Sequence, residues 1–234
     1  HGLQVMLEKV AGVALVNKLR AILLMEADFN YMNKWVFGHE AINKMYTLGY
    51  VAEDQYSQKE STAEDARLDN RLTMDLSRQL RHPLATMSAD ADKCYNRINH
   101  IVMSILLLAI IGTIGPVVAM LHPIQSMKFY QRTARGDSKT FMGGRGRDNP
   151  LQGLCQGNGA APACWLIICS VLMHCYKSRG FGSCIVSPIS GVAIDFLGEI
   201  YVDNTDLIVT HPDLKMPEAV MECLNSLAEA WSSG

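Results

Sequence analysis

The sequence predicts an α+β fold, a small antiparallel sheet packed on helices that cover one side of it. Three observations predict it. Runs with apolar residues at helical spacing alternate with short β-branched runs. Residues 192–200 and 207–210 read as the arms of a β-hairpin around the turn formers Asp203-Asn204-Thr205-Asp206. Pro83, Pro116, Pro162 and Gly180 fall at the joints between runs.

Taken in order, residues 3–8 and 16–25 are apolar runs separated by Ala11-Gly12, which predicts an opening hairpin, with a helix left open for the first. Residues 28–48 carry Phe29, Met32, Trp35, Val36, Ile42 and Met45 at mostly helical spacing. A polar loop follows to Ser61. Ser61 or Thr62 then caps a helix reaching Leu80, with Glu64 and Asp65 at its positive end and Ala66, Leu68, Leu72, Leu76 and Leu80 as its apolar contacts. Residues 85–91 read as a strand that delivers Asp90 to a sheet edge. A buried helix over about 97–111, a break, and a second helix from Pro116 to about Arg132 come next, then a basic Gly-rich loop.

Pro162 opens a further helix through Trp165, Leu166, Ile168, Cys169, Leu172 and Met173, ending at Gly180. The hairpin follows. The last element, 217–231, places Val220, Met221, Leu224, Leu227 and Trp231 on one face.

A chain of 234 residues with 49% hydrophobic and 19% charged residues has material for a large core and is not disordered. Its net charge of −2 does not itself point to nucleic acid. Between 128 and 148, however, six basic residues (Lys128, Arg132, Arg135, Lys139, Arg145, Arg147) face only Asp137 and Asp148, and Gly143-Gly144-Arg145-Gly146-Arg147 suits phosphate contacts as well as it suits a solvated loop. The seven cysteines are odd in number and scattered without a Cys-x-x-Cys pair, which does not read as a disulfide framework or zinc site and suits a reducing compartment. Residues 101–121 carry no charge and are long enough to span a bilayer. Gly112, Gly115 and Pro116 interrupt them, and the flanking charges show no clear asymmetry, so two helices with a break explain the run better than a membrane span.

Three segments carry the functional signal: Ser88-Ala89-Asp90-Ala91-Asp92-Lys93-Cys94-Tyr95-Asn96-Arg97-Ile98-Asn99-His100, then Gly153-Leu154-Cys155-Gln156-Gly157-Asn158-Gly159-Ala160-Ala161-Pro162, then Tyr201-Val202-Asp203-Asn204. In this order they resemble the catalytic core of reverse transcriptases of non-LTR retroelements and group II introns, over about residues 16–231. The resemblance implies the fingers–palm core of a right-hand polymerase without its thumb. Residues 1–82 correspond to fingers and 83–234 to palm, with about 125–150 returning to the fingers. It implies RNA-directed DNA polymerase activity on an RNA template and DNA primer with deoxynucleoside triphosphates, in the nucleus or cytoplasm and not in a membrane.

Asp90 falls at the family's first metal-binding aspartate and Asp203 at the aspartate of its Tyr-x-Asp-Asp signature. Nucleotidyl transfer needs carboxylates to hold two Mg²⁺ ions, for which Mn²⁺ can substitute. Tyr95 corresponds to the aromatic gate against a 2′-hydroxyl, and Gln156 and Gly157 to the pair bordering the nucleotide. Arg20 corresponds to the triphosphate arginine, with Lys18 its close competitor. Asp92 and Asp206 are the nearest decoys; motif register favours Asp90, and Asp206 reads as a turn or strand-end residue.

Two departures stand out. Asn204 replaces the last carboxylate of the signature, leaving an amide oxygen as a weaker metal ligand, and Asn96 replaces a second Asp after the gate. An impaired enzyme follows as an expectation. The alternative is a catalytically dead, nucleic-acid-binding remnant of a retroelement.

Overall fold

A computed structural model describes residues 1–9, 11–13, 15, 19–133, 135–144, 151, 153–187, 189–210 and 217–233. Lys18, Arg145 and Arg147 lie outside the described residues, so neither the Arg20 competitor nor the tip of the basic loop is described. The protein is mixed α+β, and packing divides it into two compact units, each made of two chain segments: His1–Leu48 with Lys93–Ile167, and Gly49–Asp92 with Ile168–Gly234.

In the first unit, β1 (Gly2–Glu8) and β2 (Leu19–Leu24) form the expected opening hairpin. The helical spacing of 28–48 is realised as α1 (Ala27–Trp35), a π-helical stretch (Val36–Ala41) and α2 (Ile42–Leu48). The run without charge becomes α5 (His100–Ile111) and α6 (Ile114–Ser126), preceded by the short α4 (Cys94–Arg97). Gly112 takes a left-handed conformation at the end of α5, and the Asn99 side chain caps its start by accepting from the Ile101 and Val102 amides. Met103, Leu107 and Ile110 of α5 are buried.

Two expectations fail in this unit. The first α5 segment is not wholly buried, since Ile101, Val102, Ile105 and Leu108 are exposed. The second helix does not continue to Arg132: it stops at Ser126, and β4 (Lys128–Thr133) pairs antiparallel with β5 (Gly136–Gly143) and parallel with β1. The resulting sheet has the order β2-β1-β4-β5. The β-formers Phe129, Tyr130 and Thr133 are better satisfied on a sheet, where Phe129 is buried, than in a helix extended past Pro123. Part of the supposed basic loop is thus a hairpin, and Arg132 is engaged within it by two hydrogen bonds to Asp137, at 2.7 and 2.8 Å.

The second unit contains α3 (Ala63–Leu80); of the two expected caps Thr62 is the one used, and it forms a capping box with Asp65. Its three-stranded antiparallel sheet has the order β3 (Leu84–Asp90), β9 (Asn204–Thr210), β8 (Gly198–Tyr201). A separate pair joins β6 (Ser183–Val186) to β7 (Ala193–Phe196). The apolar stretch 192–200 is therefore two strands in two sheets. They part at Gly198, whose φ of 156° and 2.0 Å clearance from the Asp206 carbonyl for any added Cβ exclude a side chain. Helix α7 (Ala161–Ser178) begins in the first unit and ends in the second.

Register fixes which residues share a sheet face. Met87 and Leu207 point with Ala85 and Val209 to one side. There Val209 packs on Val220 and Leu224 of α8 (Pro217–Ser233), joined by Ala85, Met87 and Cys223. On the other side lie Asp90, Asn204 and Tyr201, then Ser88, Asp206 and Glu199. Helix α3 lines that polar side, so helices lie on both faces of this sheet rather than on one.

Candidate functional site

The polar face opens into a cleft of about 440 Å³ lined by Ala63, Ala66 and Arg67 of α3 and by Ser88, Asp90, Glu199, Tyr201, Asn204 and Asp206 of the sheet. Asp90 is the last residue of β3 and stands directly opposite Asn204. The next residue, Ala91, donates its amide to the Asp203 carbonyl at 2.9 Å. Directly opposed residues of an antiparallel pair have Cα atoms about 5 Å apart. Positions 90 and 203, remote in sequence, are thereby neighbours. Asp90 and Asn204 are exposed and Asp203 is half-buried.

The hairpin turn differs from expectation. Tyr201 pairs with Asn204, so the two-residue loop is Val202-Asp203, and Asn204, Thr205 and Asp206 are strand residues of β9. Val202 takes a left-handed φ of 58°, a conformation costly for a β-branched residue. Asp206 is no turn residue: it sits between Ser88 and Glu199 in the ladder. Asp92 lies beyond the end of β3, in a turn.

The residue types at the hairpin tip fit a hard divalent cation: two carboxylates, an amide oxygen and backbone carbonyls. Mg²⁺ is commonly held by one or two carboxylates, with water and substrate phosphates completing its shell. Among the described residues, no group of three or more His, Cys, Asp or Glu side chains is placed to hold a metal by itself.

Behind this tip lies an acidic layer that the sequence did not reveal. Glu199 is 4% exposed, and its Oε1 has no hydrogen-bond partner among the described residues. Burial first, then Asp206, Asp69 and Asp54, push its carboxyl up to about 8 against the opposing effect of a hydrogen bond from Asn70. Glu199 is therefore largely protonated at neutral pH. Asp69 and Asn70 belong to the inward stripe of α3, along with Ala66, Thr73 and Ser77. Leu68 and Leu72, expected as core contacts, face outward and are more than half exposed. Tyr56 donates its hydroxyl to Asp69, and burial together with that carboxylate raises the phenol above its ordinary range. Asp54, 3% exposed, is held by Lys177 Nζ at 2.5 Å.

The remaining predicted site residues lie in the first unit. Tyr95, on α4, accepts the Leu154 amide at its carbonyl at 2.9 Å, and His100 Nε2 lies 2.7 Å from the Gly153 carbonyl. Gln156 accepts the Leu23 amide at 2.8 Å, so this segment runs against β2, the strand that carries Arg20. The side chain of Arg20 is exposed, while Tyr95 and Gln156 are half-buried. Gly157, at φ 120°, has a packing reason to be glycine: a Cβ there would stand 2.5 Å from the Leu23 carbonyl. The segment is pinned further by the Asn158 side chain, which accepts from Asn33 at 3.2 Å, and by the Gly159 amide, which donates to Asn30 Oδ1.

No cysteine among the described residues lines the cleft. Cys94, Cys155, Cys164 and Cys169 are buried, while Cys175 is exposed. Burial pushes the Cys155 thiol up to about 12, leaving it unreactive. Among the described residues, no helix is long and apolar enough to cross a membrane.

No family model and no curated protein matches the chain. Solved structures do. Telomerase from Candida albicans in complex with a TWJ fragment of telomeric RNA aligns with 96% of this chain at a TM-score of 0.55 and 14% identity. Telomerase from Candida tropicalis in complex with a TWJ fragment of telomeric RNA aligns with 93% at 0.59 and 13% identity, and the apo enzyme from that organism with 96% at 0.54 and 12%. The chain spans 39%, 37% and 44% of those chains respectively. Telomerase is a reverse-transcriptase-related enzyme, and the likeness is one of fold: this chain has a reverse-transcriptase-like architecture.

Proposed function

We propose that this chain is the fingers–palm core of an RNA-directed DNA polymerase of the non-LTR retroelement or group II intron type, impaired by Asn204. The observation that carries the reading is the register of Asp90 opposite Asn204, both lining a cleft, with the Ala91 amide on the Asp203 carbonyl beside them. The likeness of fold to telomerase supports it. The pairing of β4 with β1 supports the return of the 125–150 segment to the fingers-like residues 1–82. The packing boundary does not follow residue 82, since residues 93–124 also pack in the first unit.

In this reading Asp90 and Asp203 hold the cation and Asn204 contributes an amide oxygen. Bound Mg²⁺ supplies positive charge that favours the deprotonated primer 3′-hydroxyl and the leaving pyrophosphate. Asp90 orients that charge from the end of β3 and Asp203 from the turn between β8 and β9, and the Ala91 amide on the Asp203 carbonyl keeps the two positions together. Arg20 offers a planar guanidinium to triphosphate oxygens. Tyr95 excludes the 2′-hydroxyl, and Gln156 and Gly157 border the nucleotide. The partners are an RNA template, a DNA primer and deoxynucleoside triphosphates.

Replacing a carboxylate by Asn204 removes one negative charge from the tip. That observation favours the second reading, a nucleic-acid-binding remnant without turnover. Primer extension on an RNA template with Mg²⁺ or Mn²⁺ separates the two. A polymerase extends with deoxynucleotides, loses the signal in Asp90→Ala and gains at least tenfold in Asn204→Asp. A remnant binds template equally with and without metal and extends in neither form.

A further inference from the structure

The loop between α2 and α3 reaches the hairpin that carries Asp203. Asp54 accepts the Ile200 amide at its carbonyl at 2.9 Å, and Tyr56 donates its own amide to the Ile200 carbonyl at 2.8 Å. Gln55 bridges Ile200 in parallel, so residues 54–56 act as a short added strand on the free edge of β8. The segment is anchored from below: Asp54 holds Lys177 at 2.5 Å, accepts the Leu197 amide at 3.5 Å, and is buried together with Gln55. One residue beyond this strand, Ser57 Oγ accepts the amide of Val202 at 2.5 Å, and its own amide is held by Gln55 Oε1 at 3.1 Å.

Val202 is the first residue of the two-residue turn and the one in the left-handed region. A valine at φ 58° relaxes to another well unless something holds it. Asp203 follows directly, so any relaxation of Val202 re-aims the Asp203 carboxylate. We propose that Ser57 is a positioning residue: its hydroxyl clamps the Val202 amide, locks the left-handed turn and thereby aims Asp203 toward the Asp90 edge. This deepens the polymerase reading and rests on it for what Asp203 then holds. The chemistry asked of residue 57 is narrow. It needs a short hydroxyl acceptor on a rigid strap, which threonine can supply and alanine cannot.

Amide hydrogen exchange by NMR and Mn²⁺ titration, both on the whole chain, test the clamp. Loss of one such bond is expected to speed exchange at Val202 on the order of tenfold in Ser57→Ala, with the most protected amides of β9 unchanged and Ser57→Thr close to wild type. Mn²⁺ affinity should fall severalfold in Ser57→Ala and recover in Ser57→Thr. Unchanged exchange at Val202 overturns the clamp. Faster exchange with undiminished Mn²⁺ affinity overturns the aiming of Asp203. A uniform rise in exchange across β9 marks a merely structural loss and also overturns the proposal. A wild-type chain that binds no Mn²⁺ sinks the metal reading of Asp203 separately, and the exchange arm still decides the clamp.

Discussion

Glu199 makes stability fall as pH rises, and its replacement by glutamine should abolish that fall. The residue is 4% exposed, and burial, then Asp206 of β9, Asp69 of α3 and Asp54 of the strap, hold its carboxyl at about 8 against an ordinary 4.5, with a hydrogen bond from Asn70 of α3 opposing them. The folded chain therefore binds a proton that the unfolded chain has released throughout the interval between those two values. Stability is lost in that interval as pH rises and is level above and below it. At about 1.4 kcal/mol per pH step, the loss between pH 5 and pH 8 is about 3 kcal/mol. Glutamine keeps the shape and carries no charge at any pH. Urea denaturation of wild type and Glu199→Gln, followed by tryptophan fluorescence across that range, reads the difference directly. The variant's stability should be flatter by about 3 kcal/mol, and groups remote from Glu199 cancel in the comparison. Parallel curves would refute the argument, because they require an ionised Glu199 and hence a hydrated layer behind the hairpin.

Two further outcomes test the local geometry. Val202→Gly should raise stability by about 1 kcal/mol, since it removes a β-branched residue from a left-handed φ of 58°; a loss in chemical denaturation would show that the Val202 side chain matters more than its backbone. Gly157→Ala should cost more than about 2 kcal/mol, because the new Cβ meets the Leu23 carbonyl at 2.5 Å and the φ of 120° is itself strained; an unchanged midpoint would show that the segment is free to shift.

The elements whose determinants are local were legible in the sequence. Thr62 and Asp65 announce the start of α3, Pro217 and its apolar stripe announce α8, and β3 ends on Asp90 as its short apolar run suggests. The turn was misplaced because Asp203-Asn204-Thr205-Asp206 are strong turn formers, yet pairing with β3 on one side and β8 on the other pulls the last three into a strand. No local rule assigns a left-handed conformation to a valine; the Ser57 contact that accompanies it comes from 145 residues away. The inward face of α3 was misread for a similar reason. Hydrophobic spacing points to Leu68 and Leu72, but the residues that face the sheet are Asp69 and Asn70, whose partners Glu199 and Asp206 lie over a hundred positions further on. Beyond Ser126, β4 is not legible locally because Lys128–Thr133 is short and mixed in polarity, and what makes it a strand is pairing with β1 and β5.

Mn²⁺ binding followed by electron paramagnetic resonance interrogates the hairpin tip most directly, and it needs neither template nor turnover. If Asp90 and Asp203 share a cation, wild type binds Mn²⁺, each single alanine replacement weakens it at least tenfold, the double replacement is little worse than either alone, and Asn204→Asp tightens it. Binding that survives both alanine replacements would place the cation elsewhere and contradict the account.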